Sequence, residues 1–158
     1  MSAKEFILRR ASQDDETAIK ALVRSARINP TGLDWERFLV AESPQGEVIG
    51  CVQVKPHRDG SRELASLVVA PDWRGQGVAR ALIERFLGEH PGEIYLMCRS
   101  SLGPLYEKFG FRAITEAEMP KYFQRIKRLT RIMDMLRSEG VHLLVMKREG
   151  IRNPESGS

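Results

Sequence analysis

The stretch Val68-Val69-Ala70-Pro71-Asp72-Trp73-Arg74-Gly75-Gln76-Gly77-Val78-Ala79-Arg80 constrains this chain most, because an apolar run, a glycine-rich turn and an amphipathic pattern follow one another without a gap. That order predicts a strand, a tight loop and a helix. Gly75 and Gly77 remove two Cβ atoms where backbone must approach a ligand closely. A helix beginning near Gly77 leaves its first N–H groups without intrahelical partners, and the positive end of its dipole adds to them. An anion such as a diphosphate suits that arrangement, with Arg74 and Arg80 as flanking cations. An ordinary strand-to-helix turn is the plainer reading of the same residues.

Upstream, Phe6 to Ala11 reads as a first strand, and Ser12 with Asp15 forms a capping box for a helix over 14–27 with Ile19, Leu22, Val23 and Ala26 on its inner face. The segment from Arg27 to Trp35 mixes Asn29, Pro30 and Gly32 with large apolar residues, which predicts a shaped loop. Either it lines a binding site through Asn29, Thr31, Leu33 and Trp35, or it tucks Leu33 and Trp35 into the core. Strands over 38–41, 48–54 and 63–69, separated by Pro44-Gln45-Gly46 and Asp59-Gly60, make an antiparallel meander. After the glycine-rich loop, Ala79, Leu82, Ile83, Phe86 and Leu87 recur at helical spacing, with Gly88 and Pro91-Gly92 as the stop. Ile94 to Cys98 is a short buried strand, and a right-handed crossover places it parallel to the strand ending at Val69. Ser100, Ser101 and Pro104 open a helix that Gly110 closes, and Phe111 starts another strand. A long helix follows, with Tyr122, Phe123, Ile126, Leu129, Ile132, Met133 and Leu136 on one stripe. Lys121, Arg125, Lys127, Arg128, Arg131 and Arg137 fill its other positions, as a solvated face or as a binding stripe. The last strand runs from Val141 to Met146.

A chain of 158 residues with 42% hydrophobic content predicts one globular domain over 1–150, with the polar 151–158 as a disordered tail. The net charge of +4 fits an anionic ligand but does not point to nucleic acid. Cys51 and Cys98 lie far apart in apolar runs, which leaves neither a CxxC redox pair nor a zinc knuckle and predicts buried thiols. His57, His90 and His142 are too scattered for a metal site, so no metal is expected. No apolar run approaches about 18 residues, and the opening Met1-Ser2-Ala3-Lys4-Glu5 lacks a secretory segment, which predicts a cytoplasmic protein away from membranes.

Arg74-Gly75-Gln76-Gly77-Val78-Ala79 resembles the acetyl-CoA signature of the GNAT family of N-acetyltransferases, Q/R-x-x-G-x-G/A. Leu105-Tyr106-Glu107-Lys108-Phe109-Gly110-Phe111 resembles that family's second cofactor motif. The motifs stand in the family's order, a helix and a strand apart and after a meander, so the resemblance covers Phe6 to Met146. It implies an α/β fold with a mixed sheet: an antiparallel meander, then a parallel pair splayed at the cofactor site, with helices on both faces. It also implies acetyl-CoA as the cofactor. The loop from Arg74 through Gly75, Gln76, Gly77, Val78 and Ala79 to Arg80 would hold the CoA pyrophosphate. Leu67, Val68 and Val69 would form a bulged strand that offers backbone groups to pantetheine and the acetyl carbonyl.

The family's reaction needs a neutral amine, yet a lysine amine has a reference pKa of about 10.4 and an α-amine about 7.7–8.0, so a proton acceptor is required. The resemblance implies Glu63 for that role, ahead of Glu42 and Glu47; a hairpin-end glutamate solvated beside Arg62 is the alternative. Tyr106 matches the tyrosine that protonates the departing CoA thiolate, and packing on the helix is its other reading. Many members carry an asparagine where this chain has Arg99. Ser100 or Ser101 either replaces its cofactor contact or caps the helix. Two functions stay open: an N-acetyltransferase for a small-molecule or peptide amine, or a noncatalytic CoA-binding domain that regulates or binds RNA or protein through the basic helix. The sequence leaves a homodimer open.

Overall fold

The meander forms from the apolar runs and turn signals read in the sequence. In the computed structural model, which describes residues 4–136 and 142–150, β1 (Ile7–Arg10) pairs antiparallel with β2 (Phe38–Glu42), and β2 with β3 (Val48–Pro56). The hydrogen-bonded order is β1-β2-β3-β4-β5-β7-β6, with β4 at Arg62–Val69, β5 at Ile94–Arg99, β6 at Arg112–Ala113 and β7 at Leu143–Arg148. Glu63 stands in parallel register with Tyr95, while β5 with β7 and β6 with β7 are antiparallel. The chain divides into two compact units, Met1–Lys55 with Leu64–Glu89, and Pro56–Glu63 with His90–Ser158.

In the first unit the capping box is present: Ser12 N–H donates to Asp15 Oδ2 at 2.7 Å, and a 3-10 turn over Gln13–Asp15 leads into α1 (Glu16–Ser25). Asp15 also receives two bonds from the Arg9 guanidinium, at 2.7 and 2.9 Å, which tie β1 to the start of α1. Ile19 and Val23 of α1 pack with Phe38, Val40, Cys51 and Val68, and Leu33 and Trp35 lie against this cluster. α2 (Val78–Glu89) meets the opposite side of β3. A Cβ at Gly50 would sit 2.9 Å from Val78 Cγ1 and 3.2 Å from Leu82 Cδ1. Since neighbouring strand residues point to opposite faces, Cys51 and Gly50 place the two helices on the two sides of the sheet. α2 ends at Glu89, within the stop that Gly88 and Pro91-Gly92 predict.

In the second unit the Asp59-Gly60 hairpin closes with His57 N–H donating to the Ser61 carbonyl at 2.9 Å, and Gly60 holds a φ of 86°. α3 (Gly103–Glu107) is short, entered through a 3-10 turn over Ser100–Leu102 and followed by Gly110 with a φ of 90°. The strand beginning at Phe111 is reduced to the two residues of β6, and β7 starts two residues later than its apolar run suggested. α4 (Lys121–Leu136) buries Phe123 against Tyr95, Ile114, Met119 and Val145. Three of its basic residues are engaged: Arg128 and Arg131 both bond Glu116, at 3.1 and 2.6 Å, and Lys127 Nζ donates to the Leu143 carbonyl. The side chains of Ile132, Met133 and Leu136 lie outside the described residues, as do Arg137, Val141 and 151–158. Among the described residues no helix is long and apolar enough to cross a membrane.

Candidate active site

The glycine-rich loop has the geometry its sequence requires. β4 gives way to a 3-10 turn over Pro71–Trp73, and Gly75 and Gly77 then take φ values of 76° and 83° before α2 begins at Val78. A Cβ at either glycine would meet nothing within 4 Å within the protein. The glycines therefore serve backbone conformation and leave open the space in front of the helix start, where the first N–H groups of α2 point. Arg74 and Arg80 are exposed beside it. The N-terminal segment braces the loop. Lys4 Nζ donates to the Asp72 carbonyl at 2.9 Å and lies 4.9 Å from the centre of the Trp73 ring, while Lys4 N–H donates to Gln76 Oε1 at 3.0 Å.

Within β4, Ser66 has a φ of 57°, a left-handed residue inside a strand. Such a residue interrupts the extended backbone and re-aims the groups beyond it, here Leu67, Val68 and Val69. β3 holds the kink from beside it: Gln53 Nε2 donates to Ser66 Oγ at 2.8 Å and Cys51 Sγ donates to the Ser66 carbonyl at 3.4 Å. Gln53 is fully buried. In the loop after α1, Asn29 Oδ1 accepts from both the backbone and the hydroxyl of Thr31, and Lys55 Nζ donates to the Thr31 carbonyl at 3.0 Å. Asn29 and Thr31 are thus exposed and preorganised, whereas Leu33 and Trp35 are half-buried on the core.

In the second unit Glu63 is buried, with 5% exposure, so the picture of a glutamate solvated beside Arg62 does not hold. Its Oε1 lies 2.8 Å from His57 Nε2, and Arg62 turns instead to His90 at 3.4 Å. Tyr122 stacks on the His57 ring with centroids 3.6 Å apart and planes 16° from parallel, and Phe123 meets it edge-on at 5.6 Å. Glu42 differs in kind: it bonds Arg9 at 3.3 Å. Tyr106 is buried on α3 with Phe111 edge-on at 6.1 Å. Burial first, and the nearby Cys98 second, push its phenol up to about 12. Ser101 is exposed, Ser100 Oγ accepts from His142 N–H at 3.4 Å, and neither serine caps α3. Both cysteines are free and buried, and burial lifts Cys51 to about 12 and Cys98 to about 11. Among the described residues no His, Cys, Asp and Glu cluster could hold a metal ion.

Comparison with known proteins decides the family. The family model described as "Acetyltransferase (GNAT) domain" matches residues 34–113, just over half of the chain. The chain belongs to the GNAT acetyltransferase family. Its class of enzyme is therefore acyltransferase. No match is found among curated protein sequences. Among solved structures, N-acetylglutamate synthase from Neisseria gonorrhoeae, complexed with coenzyme A and N-acetyl-glutamate, is similar at a TM-score of 0.68 and 19% identity, over 96% of this chain and 36% of that one. The chain thus spans about a third of the synthase it matches. Rv2747 from Mycobacterium tuberculosis, in complex with CoA and NLQ, matches at 0.70 and 20% identity over 92% of this chain and 99% of that one. The ribosomal-protein-S18-alanine N-acetyltransferase from Escherichia coli matches at 0.67 and 18% identity, over 95% and 97%.

Three residues of this GNAT domain escaped the sequence reading. Gln53 and Ser66 carry no motif, since a buried glutamine and a left-handed serine become visible only once strands are in register. His57 did leave a signal. It pairs with Ser61 across the hairpin, which makes Glu63 its diagonal neighbour, within reach of a long side chain.

Proposed function

We propose that this GNAT domain transfers the acetyl group of acetyl-CoA to a primary amine by direct attack in a ternary complex. The observation that carries the reading is the open, left-handed loop of Gly75 and Gly77 running into α2. In a chain of this family, that feature suits the CoA pyrophosphate, with Gln76 to Arg80 supplying backbone N–H groups and Arg74 and Arg80 supplying charge. Backbone beyond the Ser66 kink, at Leu67 to Val69, is assigned to pantetheine and the acetyl carbonyl. The matched structures with coenzyme A support the donor, and those named for acetylating glutamate or a protein alanine support an amine acceptor.

When bound, acetyl-CoA supplies the thioester. The chain's own groups then handle protons. As the amine nitrogen attacks the carbonyl carbon, the C–N bond forms and the C–S bond breaks. Glu63 takes the proton the nitrogen loses, and Tyr106 gives one to the CoA sulfur. Burial holds that phenol up at about 12, so it is a proton donor and not a phenolate in the proposed reaction. The same burial argues against an acyl-enzyme, because neither cysteine is a thiolate at neutral pH. Asn29 and Thr31, together with the half-buried Leu33 and Trp35, are assigned to the acceptor side.

The RNA- or protein-binding form of the noncatalytic alternative would use the basic stripe on α4, where Lys127, Arg128 and Arg131 bond within the fold. Thiol release from acetyl-CoA across a panel of amino acids, polyamines and peptides with free amino groups tests the reading. At least one amine should accelerate release and gain an acetyl group. Binding of acetyl-CoA with no acceleration by any amine would favour the noncatalytic domain.

A further inference from the structure

We propose that His57 is the positioning residue for Glu63, fixing its carboxylate in one rotamer and in the ionised form that can take a proton from the acceptor. The inference rests on Glu63 acting as base. The contact is 2.8 Å between two side chains that are 11% and 6% exposed. In so dry a place a lone carboxylate tends toward its neutral form, and a charge-assisted N–H bond reverses that tendency. Nε2–H must donate, because an ionised carboxylate has no proton to give.

His57 is itself held. Tyr122 covers one face, Phe123 closes the edge, and Phe123 stacks in turn on Tyr95 of β5, with centroids 5.3 Å apart. The start of α4 is pinned to the hairpin by Tyr122 N–H donating to Asp59 Oδ2 at 3.1 Å. Among the described contacts, the ionisable groups facing the imidazole include Glu63 from β4, Asp59 from the hairpin turn and Tyr122 from α4, with Tyr95 behind Phe123. Asp59 is held below the ordinary carboxylate range: burial opposes this, but its bonds from Ser61 and Tyr122, together with the charge of His57, outweigh it. α4, which otherwise has no part in the chemistry, thereby sets the base through a stack of rings.

The test compares His57→Phe, which keeps a stacking ring but loses the donor, with His57→Gln, which keeps a donor, each alone and combined with Glu63→Gln. Rates are read as thiol release from acetyl-CoA, with the fastest amine of the panel or with water alone. His57→Phe should lower kcat about 10- to 100-fold at unchanged KM for acetyl-CoA, and should move the acid limb of the pH profile up by about one unit. His57→Gln should stay within about threefold of wild type, and His57→Phe should cost nothing further in the Glu63→Gln background, as expected for residues acting as a unit. NMR of the His57 ring in the full chain needs no turnover, and the Nε2–H proton, bonded to the Glu63 carboxylate, should resonate further downfield in the wild type than in Glu63→Gln. An unchanged kcat and acid limb in His57→Phe, or an unchanged Nε2–H signal in Glu63→Gln, overturns the inference. If Glu63→Gln turns over at the wild-type rate, the base reading itself falls.

Discussion

At the scale of single residues, burial controls the proposed chemistry. Burial pushes the Tyr106 phenol up to about 12, which suits the proton-donor role proposed for it. Tyr106→Phe should lower kcat by about 10²- to 10⁴-fold with little change in KM for acetyl-CoA, read from steady-state thiol release. Unchanged turnover would remove Tyr106 from the reaction. Asp15 shows the same principle applied to stability. The Arg9 guanidinium first, against the opposing effect of burial, and the Ser12 backbone next hold its carboxyl down at about 2. A depressed folded-state pKa adds stability above the unfolded value near 4, and that stability is lost as pH falls from about 4 toward 2. Asp15→Asn should therefore cost about 2 kcal/mol at pH 7 and almost nothing near pH 2, measured by urea unfolding at both.

At the scale of elements, the readable parts were those in which local chemistry dictates backbone. The capping box at Ser12 and Asp15, the glycine-rich turn at 75–77, the cap at Gly110, and the stripe and stop of α2 all form where their residues predict. The departures have physical reasons as well. β6 shrinks to two residues because the turn after Gly110 uses Phe111 as a core residue, buried beside Tyr106, before pairing with β7 begins. The loop carries its own prediction. Gly77→Ala forces an L side chain to a φ near 83°, which costs about 1–2 kcal/mol or displaces the α2 start. CoA affinity should fall about tenfold or more by isothermal titration, and an undiminished affinity would separate this loop from the pyrophosphate.

At the scale of the whole molecule, the meander and the parallel β4–β5 pair were legible because a right-handed crossover leaves few alternatives, whereas the place of β1 beside β2 and of β7 between β5 and β6 came only with the structure. The cofactor half of the candidate site was legible because its glycines are required by the backbone. The Ser66 kink and the surroundings of Glu63 were not, because Gln53, Ser66 and Tyr122 acquire meaning only from strand register and ring stacking, and the diagonal pairing of His57 with Glu63 only once the hairpin register is fixed. That asymmetry leaves the donor well defined by the chain and the acceptor open to experiment. The central claim is direct passage of the acetyl group from CoA to an amine, and following that group tests it most directly. With acetyl-CoA labelled by a heavy isotope in the acetyl carbons, mass spectrometry of the quenched mixture should show the label on the amine nitrogen of an acceptor and the protein at its unmodified mass throughout. Label on Cys51 or Cys98 before it reaches the amine, or label recovered only as acetate, would contradict the account.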